Sequence, residues 1–114
     1  MKTTVVTICG STRFREQMTQ ANRELTLAGH IVLAPGVFGH DGDVMTEEQK
    51  KQLDQLHYRK IDMSSWIYVV NPGDYIGEST RREMLYASKT GKGVMTQTYR
   101  ELYGCSNTCW EWHS

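Results

Sequence analysis

Glu83 lies in the run YIGESTRREMLYA, Tyr75 to Ala87. After Gly77 the spacing is helical: Thr80, Met84 and Ala87 share one face, and Glu83 falls on that face with them. Burial raises the pKa of an inward carboxylate, while nearby hydroxyls and N–H groups favour its anion. Such a group can act as nucleophile or general base at a sugar anomeric carbon. The other reading is a helix-surface glutamate paired with Lys60 or Arg82, or one completing a capping box. On periodicity alone the surface reading is favoured, since most helix glutamates are solvated.

Two further groups stand near enough in the pattern to assist. His57 shares a helical stripe with Leu53 and Ile61, with Leu56 and Lys60 beside it. It reads as a candidate acid or base, or as a core histidine with its hydrogen bonds satisfied. Asp62 precedes the third apolar run and is a second candidate carboxylate, or a helix end in water. The early stretch CGSTRFR places Gly10, Ser11, Thr12 and Arg13 between a strand and a helix. Backbone N–H groups there, with the hydroxyls and Arg13, can hold a phosphate. An ordinary strand-to-helix turn has the same composition, and the GxxxxGK loop is absent.

Cys9 and Arg15 also have the spacing of a cysteine phosphatase loop. That chemistry needs a low-pKa thiolate and an arginine clamp. Glu16 follows Arg15 where Ser or Thr belongs, and no Asp-Pro pair follows to supply the acid. A small core residue is the other reading of Cys9. Cys105, Cys109 and His113 have tolerable ligand spacing without a fourth ligand, so no metal site is expected. Trp110 and Trp112 read as anchors against the core or a subunit interface.

The elements that must position these groups alternate. Thr3 to Cys9 is a β-branched, apolar strand closed by Gly10. Arg13 to Ala28 carries Phe14, Met18, Ala21, Leu25 and Ala28 at helical spacing, with Gly29 as the stop. HIVLAP is a second strand ended by Pro35, and GVFGHDGDVM is a glycine-rich loop. Thr46 and Gln49 form a capping box opening a helix from Glu47 to about Met63. Trp66 to Asn71 is the third strand, Ser79 to Thr90 the third helix, and GVMTQ a fourth strand. The alternation predicts an α/β fold with a parallel sheet of four or five strands covered on both faces. Ligands in such folds sit beyond the carboxyl ends of the strands. Three loops should therefore converge there: residues 10–13, 35–43 and 71–80. Residues 1–98 form the α/β domain, and 99–114 a tail packing on it or on a partner.

The chain has 114 residues, 39% hydrophobic and 23% charged, with 13 basic and 13 acidic side chains. That is the composition of one globular domain. Zero net charge argues against a general surface for polymeric nucleic acid or anionic membrane. No apolar run reaches membrane-spanning length. The start, MKTTVVTICG, runs straight into a strand without a signal-peptide core. With only three cysteines, a reducing cytoplasm is the expected location.

The blocks VTICGSTRF, LAGHIVLAP and LHYRKIDMSSWIYVVNPGDYIGESTRREMLYASKTGKGV together resemble the nucleoside 2-deoxyribosyltransferase-like superfamily. That group comprises the transferases and the nucleoside 5'-monophosphate N-glycosidases. The resemblance spans Val5 to Val94. It implies a three-layer flavodoxin-like domain with strand order 2-1-3-4, no cofactor, and a homodimer or larger assembly. It puts Glu83 in the place of the family's nucleophile, with Gly77, Ser79 and Thr80 holding the sugar 5' end or its phosphate. Gly10, Ser11, Thr12 and Arg13 would line the sugar and base pocket. Thr7 stands where the transferases usually carry a tyrosine supporting the glutamate. His57 and Asp62 are the two candidates for the acidic group near the base. A carboxamide lent by a neighbouring subunit would correspond to Asn107. The implied activity is cleavage or transfer of an N-glycosidic bond in a nucleoside or nucleotide, the alternative being a domain that binds a nucleotide without cleaving it.

Overall fold

The computed structural model describes residues 3–36 and 45–103. Four parallel strands form one sheet in the order β2-β1-β3-β4: β1 Val5–Gly10, β2 Ile31–Leu33, β3 Trp66–Val70 and β4 Gly93–Thr96. Four helices accompany them: α1 Arg15–Leu27, α2 Glu47–Asp62, α3 Glu78–Lys89 and α4 Gln97–Leu102. The expected α/β class, parallel sheet and strand order are those observed, in a three-layer flavodoxin-like arrangement. None of the helices among the described residues is long and apolar enough to cross a membrane.

The strand order explains the layers. The chain leaves β1 for β2 on one side, then crosses back over to β3 on the other. Right-handed crossovers in opposite directions must use opposite faces of the sheet. Accordingly α1 supplies Met18, Ala21 and Leu25 to a core on one face, against Val6, Ile8, Trp66, Tyr68, Val70 and Met95. On the other face α2 and α3 supply Ile61 and Ala87, against Cys9, Ile67 and Val69. Alternation along the strands sorts the residues: Val6 and Ile8 point one way, Thr7 and Cys9 the other. β3 is buried along its whole length, as a central strand covered on both faces must be.

Helix signals in the sequence act locally as expected. Thr46 accepts from the Gln49 N–H at 3.1 Å while the Gln49 side chain accepts from the Thr46 N–H at 3.0 Å, which closes the capping box of α2. Three boundaries differ from the pattern. Thr12–Phe14 form a short 3-10 turn before α1, because Ser11 caps that turn through the Arg13 N–H. α3 begins at Glu78, after an extended Gly77. Gln97 opens α4 rather than ending β4, because the Thr96 hydroxyl accepts from the Tyr99 N–H. α4 thus runs across the step from 98 to 99, where the sequence reading starts the tail. Its Thr98 is bound twice by the buried Asn71 side chain at the end of β3. The tail beyond Tyr103, with Cys105, Asn107, Cys109, Trp110, Trp112 and His113, lies outside the described residues.

β1 and β3 meet where the crossovers reverse, and their carboxyl ends define the crevice used by ligands in such sheets. At that point Gly10 has φ +147°, and a Cβ there would sit 2.7 Å from the Val70 carbonyl oxygen and 3.1 Å from the Met18 Cε. Only glycine allows the two strands to close at the crevice floor.

Candidate active site

Glu83 reaches the crevice from α3. Thr80 and Ala87 on the same face are buried, and Met84 packs on the core of that side. The helical pattern thus turns Glu83 inward, where its side chain keeps only 14% of its exposure. His57 arrives from α2, with 12% exposure. The two helices are held together by the Tyr58 and Tyr86 rings, edge to face at 4.8 Å between centroids. Cys9, the last β1 residue facing this side before Gly10, is fully buried beneath them. Its Sγ lies 3.3 Å from His57 Nε2, and His57 Nε2 lies 3.6 Å from a Glu83 carboxylate oxygen. The three ligating atoms are all within 4.8 Å of one another.

Burial decides the protonation of all three. Glu83 is pushed up to about 7, chiefly by desolvation and further by the Asp54 carboxylate; the Cys9 thiol and Arg82 pull the other way. His57 is pushed down to about 4, first by burial and then by the Lys60 ammonium. Burial and the neighbouring Glu83 carboxylate both push the Cys9 thiol well up. Near neutral pH the cluster therefore holds a thiol, a neutral imidazole and a carboxyl group balanced between its two forms. His57 and Glu83 are then not an ion pair, although their atoms stand at ion-pair distance.

The other sequence candidates divide. Asp62 is not part of the cluster. α2 runs opposite to the strands, so its last residue lies at the far end of the sheet, about 7.5 Å further along the helix axis than His57. There Asp62 accepts from the Tyr86 hydroxyl and from Arg59 at 3.0 Å, and these two donors hold its carboxyl below the usual range. Thr7 faces the same side as Cys9 but one strand step deeper. Its hydroxyl donates to the Lys60 carbonyl at 3.0 Å and bonds with the Ser64 hydroxyl, so it is spent inside the fold. Thr80 is likewise buried.

Gly10 ends β1 and Ser11, Thr12 and Arg13 form the turn beyond it, while Gly77 and the exposed Ser79 stand at the start of α3. The two loops are joined: the Arg13 guanidinium lies over the Tyr75 ring at 4.4 Å, and Phe14 meets the same ring edge on at 5.9 Å. Residues 37–43 of the third expected loop lie outside the described residues. An open apolar hollow of about 440 Å³ is found elsewhere, between α3 and the edge strand β4, against Ile76, Arg81, Met84, Leu85, Ser88 and Val94. Its lining includes none of Cys9, His57 and Glu83.

Sequence reasoning missed Cys9 as the neighbour of Glu83. The signal was present in the strand period: Cys9 has the parity of Thr7 and is the last side chain on that face before Gly10. Its surroundings also oppose the phosphatase reading, which needs a thiolate of lowered pKa. No family model, curated protein or solved structure matches the chain.

Proposed function

We propose that the protein cleaves or transfers the N-glycosidic bond of a nucleoside or nucleoside 5'-monophosphate, with Glu83 as the nucleophile. The observation that carries this reading is a mostly buried carboxylate, poised near neutrality, at the ligand-binding end of the sheet. The resemblance of the flanking blocks to the nucleoside 2-deoxyribosyltransferase-like superfamily supports it. A Glu83 oxygen bonds to C1' as the C1'–N bond breaks and its electrons leave with the base. A neutral His57 has no spare proton to give, so solvent protonates the base, and the imidazole serves to direct the carboxylate. Water then attacks C1', its oxygen staying on the sugar and its proton going to solvent as Glu83 is released. A second base in place of water gives transfer. Gly10 to Arg13 line the sugar and base, while Gly77, Ser79 and the α3 N–H groups receive the 5' end. The same reading makes the protein a cytoplasmic homodimer or larger assembly that needs no cofactor.

The test is a mass-spectrometric screen of nucleosides and their monophosphates for released base, run beside Glu83→Gln. The variant should lose at least about 10³-fold in rate, as removal of a covalent nucleophile does. Equal release by the variant, or no release from any substrate, ends the proposal. Nucleotide binding without cleavage is the second reading. It is favoured by Thr7, whose hydroxyl is bonded inside the fold and gives Glu83 no support. Calorimetry showing tight binding with no base released over long incubation would establish it.

A further inference from the structure

The cluster at the crevice has a second chemistry. Cys9, His57 and Glu83 offer one sulfur, one imidazole nitrogen and one carboxylate oxygen, each a donor type that zinc accepts. Around a tetrahedral zinc ion with bonds of about 2.0–2.3 Å, donor atoms stand roughly 3.3–3.7 Å apart. Two of the separations here, 3.3 and 3.6 Å, already fall in that range. The third, Cys9 to Glu83, is within 4.8 Å, and the terminal torsion of the glutamate is soft.

Each donor comes from a different regular element: Cys9 from β1, His57 from α2 and Glu83 from α3. The Tyr58–Tyr86 contact fixes the two helices, so the donors are held in advance rather than gathered by the ion. His57 and Glu83 keep a rim of exposure, which leaves a way in for the ion and a fourth position for water. Charge favours occupation too. A thiolate and a carboxylate neutralise a divalent ion, while without it each would be an uncompensated buried anion.

We infer that the Cys9–His57–Glu83 cluster binds one thiophilic divalent cation, zinc or cobalt in preference to magnesium or calcium. Binding takes up one cation and releases the Cys9 thiol proton to solvent, together with whatever proton Glu83 carries. Hard cations are excluded because one carboxylate oxygen beside sulfur and nitrogen donors does not meet their need for many oxygens. One consequence rests on the glycosidic reading above: a bound cation ties up the Glu83 oxygen, so occupation and turnover exclude each other.

The test is cobalt titration of the full, reduced, metal-stripped chain, reading the charge-transfer band of a cobalt–thiolate bond. One equivalent should give the band, and zinc should remove it. The band should persist in the double variant Cys105→Ser with Cys109→Ser, and disappear in Cys9→Ser. His57→Ala should weaken binding by at least the roughly 10–100-fold that changes outside the donor set cost. Should Cys9→Ser fail to fold, the double variant serves alone, its melting midpoint rising with zinc and not with magnesium. No band in the wild type, a band surviving in folded Cys9→Ser, a band lost in the double variant, or no zinc-dependent rise in that variant's midpoint overturns the inference. None of these readouts needs substrate. Base release suppressed by zinc and restored by a chelator would add the consequence for turnover, and release unaffected by saturating zinc would remove it.

Discussion

The two faces of the sheet are built from the same four strands and do different work. Toward α1 the core is large and mostly apolar, including Leu25, Ile8, Trp66 and Met95, and its buried polar groups, Thr4 and His30, bond each other, Thr4 also accepting from the Trp66 indole N–H. Toward α2 and α3 the core is smaller, and polar groups enter it: Thr7, Ser64, Cys9, His57 and Glu83. One face supplies stability by excluding water. The other gives up some of that to keep a desolvated carboxylate at the crevice, the arrangement in which perturbed pKa values cluster.

Four substitutions probe this division. Glu83→Gln has the largest expected effect, a loss of at least about 10³-fold in base release. It should leave the fold at least as stable at pH 8, since it removes a buried anion. A loss of stability there would place Glu83 with the structural face. Leu25→Ala should do the reverse, lowering unfolding free energy by about 2–5 kcal/mol in denaturant while activity per folded molecule holds.

The pH dependence of stability, measured in chelator, separates the partners within the polar face. Glu83 has its folded pKa raised from 4.5 to about 7. Its contribution is therefore intact below pH 4.5 and is lost as pH rises through 7, by about 3 kcal/mol in all. His57 has its folded pKa lowered from 6.5 to about 4. Its contribution is present above 6.5 and is lost as pH falls toward 4, again by about 3 kcal/mol. Between pH 4.5 and 6.5 the unfolded chain carries one proton on His57 and the folded chain one on Glu83, so the two slopes cancel. Lys60, Asp54 and Arg82, whose fields reach the pair, are present in wild type and variants alike. The wild type should be flat across that window for this pair. Glu83→Gln should grow more stable with rising pH there, and His57→Ala less stable. Two flat variants would mean that the groups titrate as they do in water.

Arg13→Ala has the smallest effect. Losing the stack on Tyr75 should cost about 0.5–1 kcal/mol, and the readout is a small drop in melting temperature.

The sequence carried the fold well because the fold depends on period. Strand and helix repeats identified seven elements within a few residues of their ends, and the helical repeat put Glu83 on the apolar face without deciding that it is buried. Contacts between elements were harder to read. Asp62 looked close to the site along the chain, yet α2 runs away from the crevice and takes Asp62 to the opposite end of the sheet. Cys9 was read within its own loop, because nothing local shows that α2 and α3 bring His57 and Glu83 over it. Thr96 and Ser11 each redirected a boundary by one hydroxyl, a signal smaller than the periods around it. The Arg13–Tyr75 stack joins two loops more than sixty residues apart and leaves no mark on either segment.

Gly10 bears on how this chain can drift over generations. Every single-base change in a glycine codon that alters the residue introduces a larger side chain, and at Gly10 the first added carbon already meets the Val70 carbonyl. At Gly36 the same carbon would meet nothing within 4 Å. The crevice floor is thus a position from which no single mutational step leads anywhere tolerable, and the loop built on it inherits that fixity.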